Sequence, residues 1–458
     1  MDWTGSVRAG LSARLEAEAV RPIALALSGG GDSIALLRVA ADWARENGRR
    51  LLALTVDHGL SPDSADWTAF AERAAREAGA DWRGLRWIGH RPATGLPAAA
   101  RMARHRLIAD AAREAGARVV LFAHTADDIA EGEVMRAEGS TLGRLRDWSP
   151  SPAWPEGRGL MLLRPMLGAR RKEVRDWLAE QGADWIDDPG NEDPRYSRSR
   201  ARASLLAVGG EGSHREPTTG GPEGRMWVGC GSGGAAPGQP TRTFSRKNDG
   251  SAAVRSCPLP MGEGSLNVAR RLDAQTLAAA LVCTGGGDRL PRGDRLSAIH
   301  ARLQFGESFT ATLCGSRLEA DGAGVLLTRE TGEFARRRVP PPPLPLPPGV
   351  ETVWDGRWAI TVDSAGWSAA PAAGRMAALS DVDRAVLKAL PPAARGSVPV
   401  LIRNDGTAPV LAGREGKARS LVEERLALAL DRMTHERDLG GAIHGASPRN
   451  HLFSGGYH

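Results

Sequence analysis

Six consecutive residues constrain this chain more than any others: Ser28-Gly29-Gly30-Gly31-Asp32-Ser33. They separate a short apolar run, Ile23–Leu27, from Ile34–Glu46, where apolar residues recur at helical spacing. A strand, a glycine turn and a helix in that order suit one task. Glycine lets the backbone turn tightly and approach an anion with no Cβ in the way. The helix that follows presents free N–H groups and a positive dipole end to that anion. Ser28 and Ser33 add hydroxyl donors, and Asp32 brings a carboxylate able to hold magnesium against phosphates. No Gly-Lys-Ser or Gly-Lys-Thr follows, so this is not a Walker loop. A glycine turn without a ligand is the alternative. The strand–loop–helix setting favours the phosphate reading.

The same alternation continues downstream. Leu51–Val56 reads as a second strand, Thr68–Ala78 as a helix and Arg118–Phe122 as a third strand. This predicts an α/β domain with a parallel sheet and helices on both faces, spanning residues 1–205. Ligands of such sheets bind beyond the carboxyl ends of the strands. Those ends fall after Leu27, Val56 and Phe122.

Beyond that domain the texture changes. Residues 206–266 are dominated by Gly, Ser, Pro and Thr, with an echo between Gly209–Ser213 and Met261–Ser265, and read as a disordered insertion. Helical pattern resumes at Val268–Val282, and Phe309–Thr328 alternates like a small β-hairpin, giving a helical/β substrate-binding region over 267–338. A proline-rich linker, 339–349, sets off a small C-terminal domain, 350–458. There Ala418–Arg432 reads as an amphipathic helix and the tail after Gly440 as flexible. Trp354 and Trp358, beside Arg357, could stack on bases; packing in a small β core is the favoured reading.

Composition adds bounds. At 458 residues the chain exceeds one ordinary core. Its net charge of +6 permits a polyanionic partner without demanding one. Cys230, Cys257, Cys283 and Cys314 form no CxxC pair, which argues against a zinc site or thiol relay. No apolar run approaches membrane-spanning length and no signal segment is visible, so a cytoplasmic location without a membrane partner is expected.

Further strings fall at the other strand ends. Thr55–Leu60 reads TVDHGL, Ala99–His105 reads AARMARH, and Ala123–Asp128 reads AHTADD. Glu131, Met135, Arg136, Gly139, Ser140 and Leu145 follow, then Arg164-Pro165, Asp188-Pro189-Gly190-Asn191, and Arg198 to Arg202. SGGxDS resembles the loop of the PP-loop ATP pyrophosphatases. With DHGL and HxxDD in order, residues 28–202 resemble the tRNA(Ile)-lysidine synthetases. His105, Gly132 and Ser199 depart from that pattern, standing where tyrosine, threonine and asparagine are usual.

The resemblance implies ATP-dependent adenylation of the C2 oxygen of a wobble cytidine, in an isoleucine tRNA with a CAU anticodon. A lysine amine then displaces AMP. It implies ATP contacts from Ser28, Gly29, Gly30, Gly31, Asp32, Ser33 and Asp57, with magnesium on Asp32. Asp127 and Asp128 would hold the lysine ammonium or a second metal, and His124 a phosphate or the base. Arg101, Arg104 and Arg202 would balance developing negative charge, and Arg101, Arg104, Arg136 and Arg198 are the expected substrate contacts.

Each residue also has a plain structural alternative. His124 could be a core histidine, Asp127-Asp128 an N-cap pair, and Asp57 a turn residue. The cluster Arg170, Arg171, Lys172 and Arg175 reads equally as an RNA contact or a solvated helix face. A thiolation enzyme on the same fold is the runner-up, disfavoured because no cysteine precedes Cys230. An RNA-binding relative without activity is a third.

Overall fold

Apolar strands alternating with amphipathic helices build a six-stranded sheet in the computed structural model, which describes residues 2–89, 91–92, 94–140, 143–187, 197–210, 264–291, 293–322, 324–336 and 342–439. The elements are α1 (Trp3–Arg14), β1 (Ile23–Ala26), α2 (Gly31–Glu46), β2 (Leu51–Asp57), α3 (Ser64–Glu77), β3 (Asp81–Arg86), α4 (Leu96–Glu114) and β4 (Val119–Leu121). There follow α5 (Ala126–Ala137), β5 (Trp148–Pro150), β6 (Met161–Leu163), α6 (Arg171–Glu180) and α7 (Ser197–Gly210). Strand order is β3-β2-β1-β4-β6-β5, and only β5 runs antiparallel to its neighbour.

Side chains alternate across that sheet, as the two-residue strand period requires. Ile23 and Leu25 of β1 enter one core with Leu11, Leu36, Leu37, Val174 and Leu178, from α1, α2 and α6. Ala24, Leu52, Leu54 and Val120 enter the other, against Ile108 and Ala112 of α4. Each fully buried leucine contributes about 1.5–3 kcal/mol. Helices therefore cover both faces, and the strand ends stay open for chemistry. The expected strands and helices of this domain all form. Helix α2 begins three residues earlier than its apolar period suggests, because Gly30 is an extended N-cap and Gly31 enters the first turn.

Downstream, several expectations are corrected. Val268 closes a strand, β7 (Leu266–Val268), and the helix α8 starts only at Ala274, where Asp273 accepts the N–H of Thr276 at 2.8 Å. The stretch read as one hairpin is three strands, β8 (Phe309–Leu313), β9 (Ser316–Ala320) and β10 (Val325–Arg329). With β7 they form an antiparallel sheet ordered β7-β10-β9-β8. The described part of the proline segment is partly an edge strand: Leu344-Pro345 pairs with Ala369 and Ser368, and Leu346 is buried. Proline is tolerated there because an edge strand can spare an N–H. Residues 337–341, positions 211–263 of the expected 206–266 insertion, and the tail from residue 440 lie outside the described residues; positions 206–210 end α7, and Leu266 opens β7.

The C-terminal helix is Val422–Ala429, shorter than its period predicts, because Gly416–Ser420 pairs as a strand with Trp358–Val362. Trp354 and Trp358 are buried in the core of that β region, as expected. The chain then crosses back. Leu428, Leu439 and Met433 pack on the first domain's core, and buried Glu436 accepts from Arg49 at 2.8 and 2.9 Å and from Arg21 at 3.0 Å. Among the described residues no helix is long and apolar enough to cross a membrane.

Candidate active site

The glycine loop closes on itself before it offers anything to a ligand. Gly29 has φ +86°, and a Cβ there would lie 2.5 Å from Ile186 Cδ1, so only glycine fits. Ile186 N donates to Gly29 O at 3.0 Å. The Ser33 hydroxyl donates to Gly30 O at 2.8 Å and lies 3.3 Å from Ser28 N. Ser33 therefore holds the turn shut, while Ser28 stays exposed at its rim. Gly30 caps α2 without a side chain, which leaves the first-turn N–H groups of the helix pointing outward.

Asp32 stands at that helix start, half-buried. Its Oδ1 has no hydrogen-bond partner, and burial pushes its carboxyl up, with Arg171 opposing and Asp128 adding to the rise. A cation at Oδ1 would relieve that cost. Among the described residues no group of three His, Cys, Asp or Glu side chains could hold a metal alone. The donor set thus suits magnesium carried by one carboxylate together with phosphate oxygens.

Beside the loop, four carboxylates converge on Arg171, the first residue of α6. Its Nη1 bonds Glu131 Oε1 at 2.9 Å, while Nη2 and Nε lie 3.4 Å from Asp128 Oδ1 and Asp32 Oδ2. Asp127 Oδ2 accepts the Arg171 backbone N–H at 2.8 Å. Glu131 is fully buried and also accepts from Arg198 Nε and Arg202 Nε, both at 2.8 Å. Burial alone would raise its carboxyl, yet these three arginines outweigh it and hold it down at about 2. Asp128 meanwhile accepts from Thr125 N at 2.7 Å, closing a capping box at the start of α5.

At the end of β4 a third group gathers. His124 stacks on Phe122, which lies 5.3 Å from His105. Burial and the surrounding Arg164, Arg101, Arg198 and Arg104 push His124 down to about 2; burial with Arg101, Arg104 and Arg164 pushes His105 to about 3. Both rings are neutral at neutral pH. His124 Nδ1, His105 Nε2 and Arg104 Nε have no partner, and burial with Arg101 and Arg198 lowers the Arg104 guanidinium to about 10. A buried cluster of guanidinium groups with unspent donors is suited to an anion.

The fold thus brings Asp32, Asp127, Asp128, Arg198 and Arg202 into one ion network, with Arg101, Arg104 and His124 beside it. Two expected site residues have partners outside that network. Asp57 Oδ1 accepts Gly59 N at 2.7 Å, the turn role that was its alternative, and Arg136 pairs with exposed Glu133 at 3.7 Å. Asp188–Asn191 lie outside the described residues. Two central residues had no role assigned from sequence. Arg171 is only 16% exposed, so it is not on a solvated face. Glu131 lies three residues after Asp128, on the same side of α5, a spacing that marks it as a partner.

Comparison with known proteins follows this geometry. Residues 6–208 match the PP-loop domain family. A tRNA(Ile)-lysidine synthase from Caulobacter vibrioides is 44% identical over 444 residues, covering 94% of this chain and 98% of that protein. The enzyme of the same name from Hyphomonas neptunium is 33% identical over 345 residues, 72% of this chain and 83% of that one. A third, from a Bradyrhizobium species, is 44% identical over 194 residues, 42% of this chain and 53% of that one.

Proposed function

The chain belongs to the tRNA(Ile)-lysidine synthase family, and from that premise we propose that it joins free L-lysine to the wobble cytidine of an isoleucine tRNA with a CAU anticodon. It is an ATP-using ligase acting on tRNA. In the proposed reaction the C2 oxygen of the cytidine attacks the α-phosphorus of ATP and pyrophosphate leaves. A lysine amine then attacks C2, loses a proton, and AMP departs with the C2 oxygen. The work takes place in the cytoplasm.

The observation that carries this reading is the orphaned Asp32 Oδ1 at the start of a glycine-capped helix. The loop N–H groups and Ser28 take the leaving pyrophosphate, whose charge the helix dipole favours. Asp32 would hold a magnesium ion, which would neutralise phosphate charge when bound. Arg101 and Arg104 face the α-phosphate and base from the other side, and neutral His124 offers them a hydrogen bond without adding charge. Asp128 and Glu131 attract the lysine ammonium, and Arg198 and Arg202 hold Glu131 ionised for that purpose. Asp127 positions α6 through the Arg171 N–H.

The test uses purified protein, ATP, magnesium, radiolabelled lysine and an isoleucine tRNA transcript, scoring acid-precipitable label. Label that requires ATP and is absent on a methionine tRNA is the expected result. Pyrophosphate release without label would retain the adenylating domain and sink the lysine assignment.

A further inference from the structure

Every oxygen of Asp128 and Glu131 is already engaged. Glu131 Oε1 accepts from Arg171 and Arg202, and Oε2 from Arg198. Asp128 Oδ1 accepts from Arg171 and Arg198, and Oδ2 from the Thr125 N–H. These side chains are 1% and 10% exposed, so water is not a spare partner. With three guanidinium groups already crowded around the pair, an incoming ammonium competes with a cation already there.

The three arginines are not equally held. Arg198 bonds both Glu131, at 2.8 Å, and Asp128, while Arg202 keeps a single 2.8 Å bond to Glu131. Arg171 is stretched over three carboxylates, with one good bond at 2.9 Å and two at 3.4 Å. A guanidinium at 3.4 Å forfeits much of what a charge-assisted bond near 2.8 Å supplies. Its backbone is fixed by Asp127, so the side chain can leave without moving α6.

We propose that Arg171 is a placeholder for the substrate ammonium: it neutralises Asp128 and Glu131 in the empty enzyme and is displaced by an ammonium group of the incoming lysine. Displacement also releases Arg171 Nε from Asp32, the carboxylate that faces the phosphate loop. Lysine arrival and the charge at the phosphate site are thereby coupled through one side chain. Arg171 is a positioning residue in this scheme, since it acts through Asp32, Asp128 and Glu131. The inference rests on the reading of Asp128 and Glu131 as the lysine partners.

The experiment measures AMP formation on the isoleucine tRNA transcript against lysine concentration, for the full-length wild type, Arg171→Ala and Arg171→Lys. Removing the competitor should lower the KM for lysine threefold or more in Arg171→Ala while kcat falls. Arg171→Lys, which restores a cation, should return KM toward the wild-type value. Millimolar guanidinium chloride should compete with lysine in Arg171→Ala, raising its KM, and leave the wild type unaffected. An unchanged or raised KM in Arg171→Ala, or guanidinium restoring kcat without competing, would make Arg171 a structural strut and overturn the proposal. Should Arg171→Ala fail to fold, the same KM comparison in Arg171→Lys and Arg171→Gln decides. A wild type that forms no lysine-dependent AMP defeats the function itself, which is a separate outcome.

Discussion

Among the buried arginine–carboxylate networks of the described residues, two differ in whether they are closed. In the C-terminal half, Arg329 bonds Asp355, Glu333 and the Gly315 carbonyl, while Arg357 bonds Asp355 and the Ser397 carbonyl at 2.8 Å. Both guanidinium groups are at most 3% exposed, and neither they nor Asp355 carry a buried polar atom without a partner. The network joins β10, the Asp355 turn and the neighbouring sheet. At the strand ends of the first domain, the network around Arg171 abuts Asp32 Oδ1, His124 Nδ1, His105 Nε2 and Arg104 Nε, all buried and unpartnered. Buried polar groups are rarely left orphaned unless something else is meant to meet them. The closed network holds layers together; the open one is the proposed ligand site.

Breaking each network should therefore have opposite consequences. Asp355→Asn keeps the shape and the tolerance for the positive φ of 50° at this turn, but strips the charge from between two buried guanidiniums. It should destabilise the protein by about 3–5 kcal/mol, the usual cost of removing one partner of a buried pair. Urea denaturation reads this directly. A loss under about 1 kcal/mol would mean that the network is not the strut described.

Asp32→Asn is the counterpart. Its unpartnered, desolvated oxygen gives the fold little, so stability should stay level or rise slightly. Activity should fall on the order of 10²–10³-fold, or about 3–4 kcal/mol in the barrier, as for the loss of one preorganised electrostatic group. Stopped-time AMP formation beside a denaturation curve checks both halves. Equal losses in stability and activity would erase the contrast between the networks.

How much of this could be read in the sequence follows from which facts are local. The glycine loop, the strand ends and the order of SGGGDS, DHGL and AHTADD depend on short-range geometry, and the structure places them at the carboxyl edge of the sheet. Arg171 was ambiguous because RRKEVR looks like a solvated helix start. Its burial depends on Glu131, 40 residues earlier, and on α7 packing over α5. Asp57 has the right strand end, and one of its carboxylate oxygens accepts Gly59 N, a turn contact that backbone geometry makes. The return of Glu436 to Arg49 spans 387 residues and has no local signal at all. Trp358, by contrast, was legible as core, since alternation in a short strand already assigns its face.

The smallest expected effect tests the open network through pH. His105 is 4% exposed and its ring is held at about 3, against an ordinary value of 6.5. The folded state refuses a proton that the unfolded chain accepts, so stability is lost as pH falls below 6.5, and the loss stops growing only once the folded value is reached. Each pH unit costs about 1.4 kcal/mol per histidine across that window. His105→Tyr, a ring of similar shape that does not titrate there, should flatten the decline between pH 6 and pH 4.5 by about that slope. A saturating anion in the arginine cluster should do the opposite of deepening it, because a negative charge beside the histidines raises their proton affinity. Urea midpoints at pH 7, 6 and 5, with and without AMP, whose phosphate is the α-phosphate, separate the two effects. If AMP leaves the acid slope unchanged, then the orphaned groups around His124 and Arg104 are not where the α-phosphate sits, and the open network must be read as an unsatisfied core.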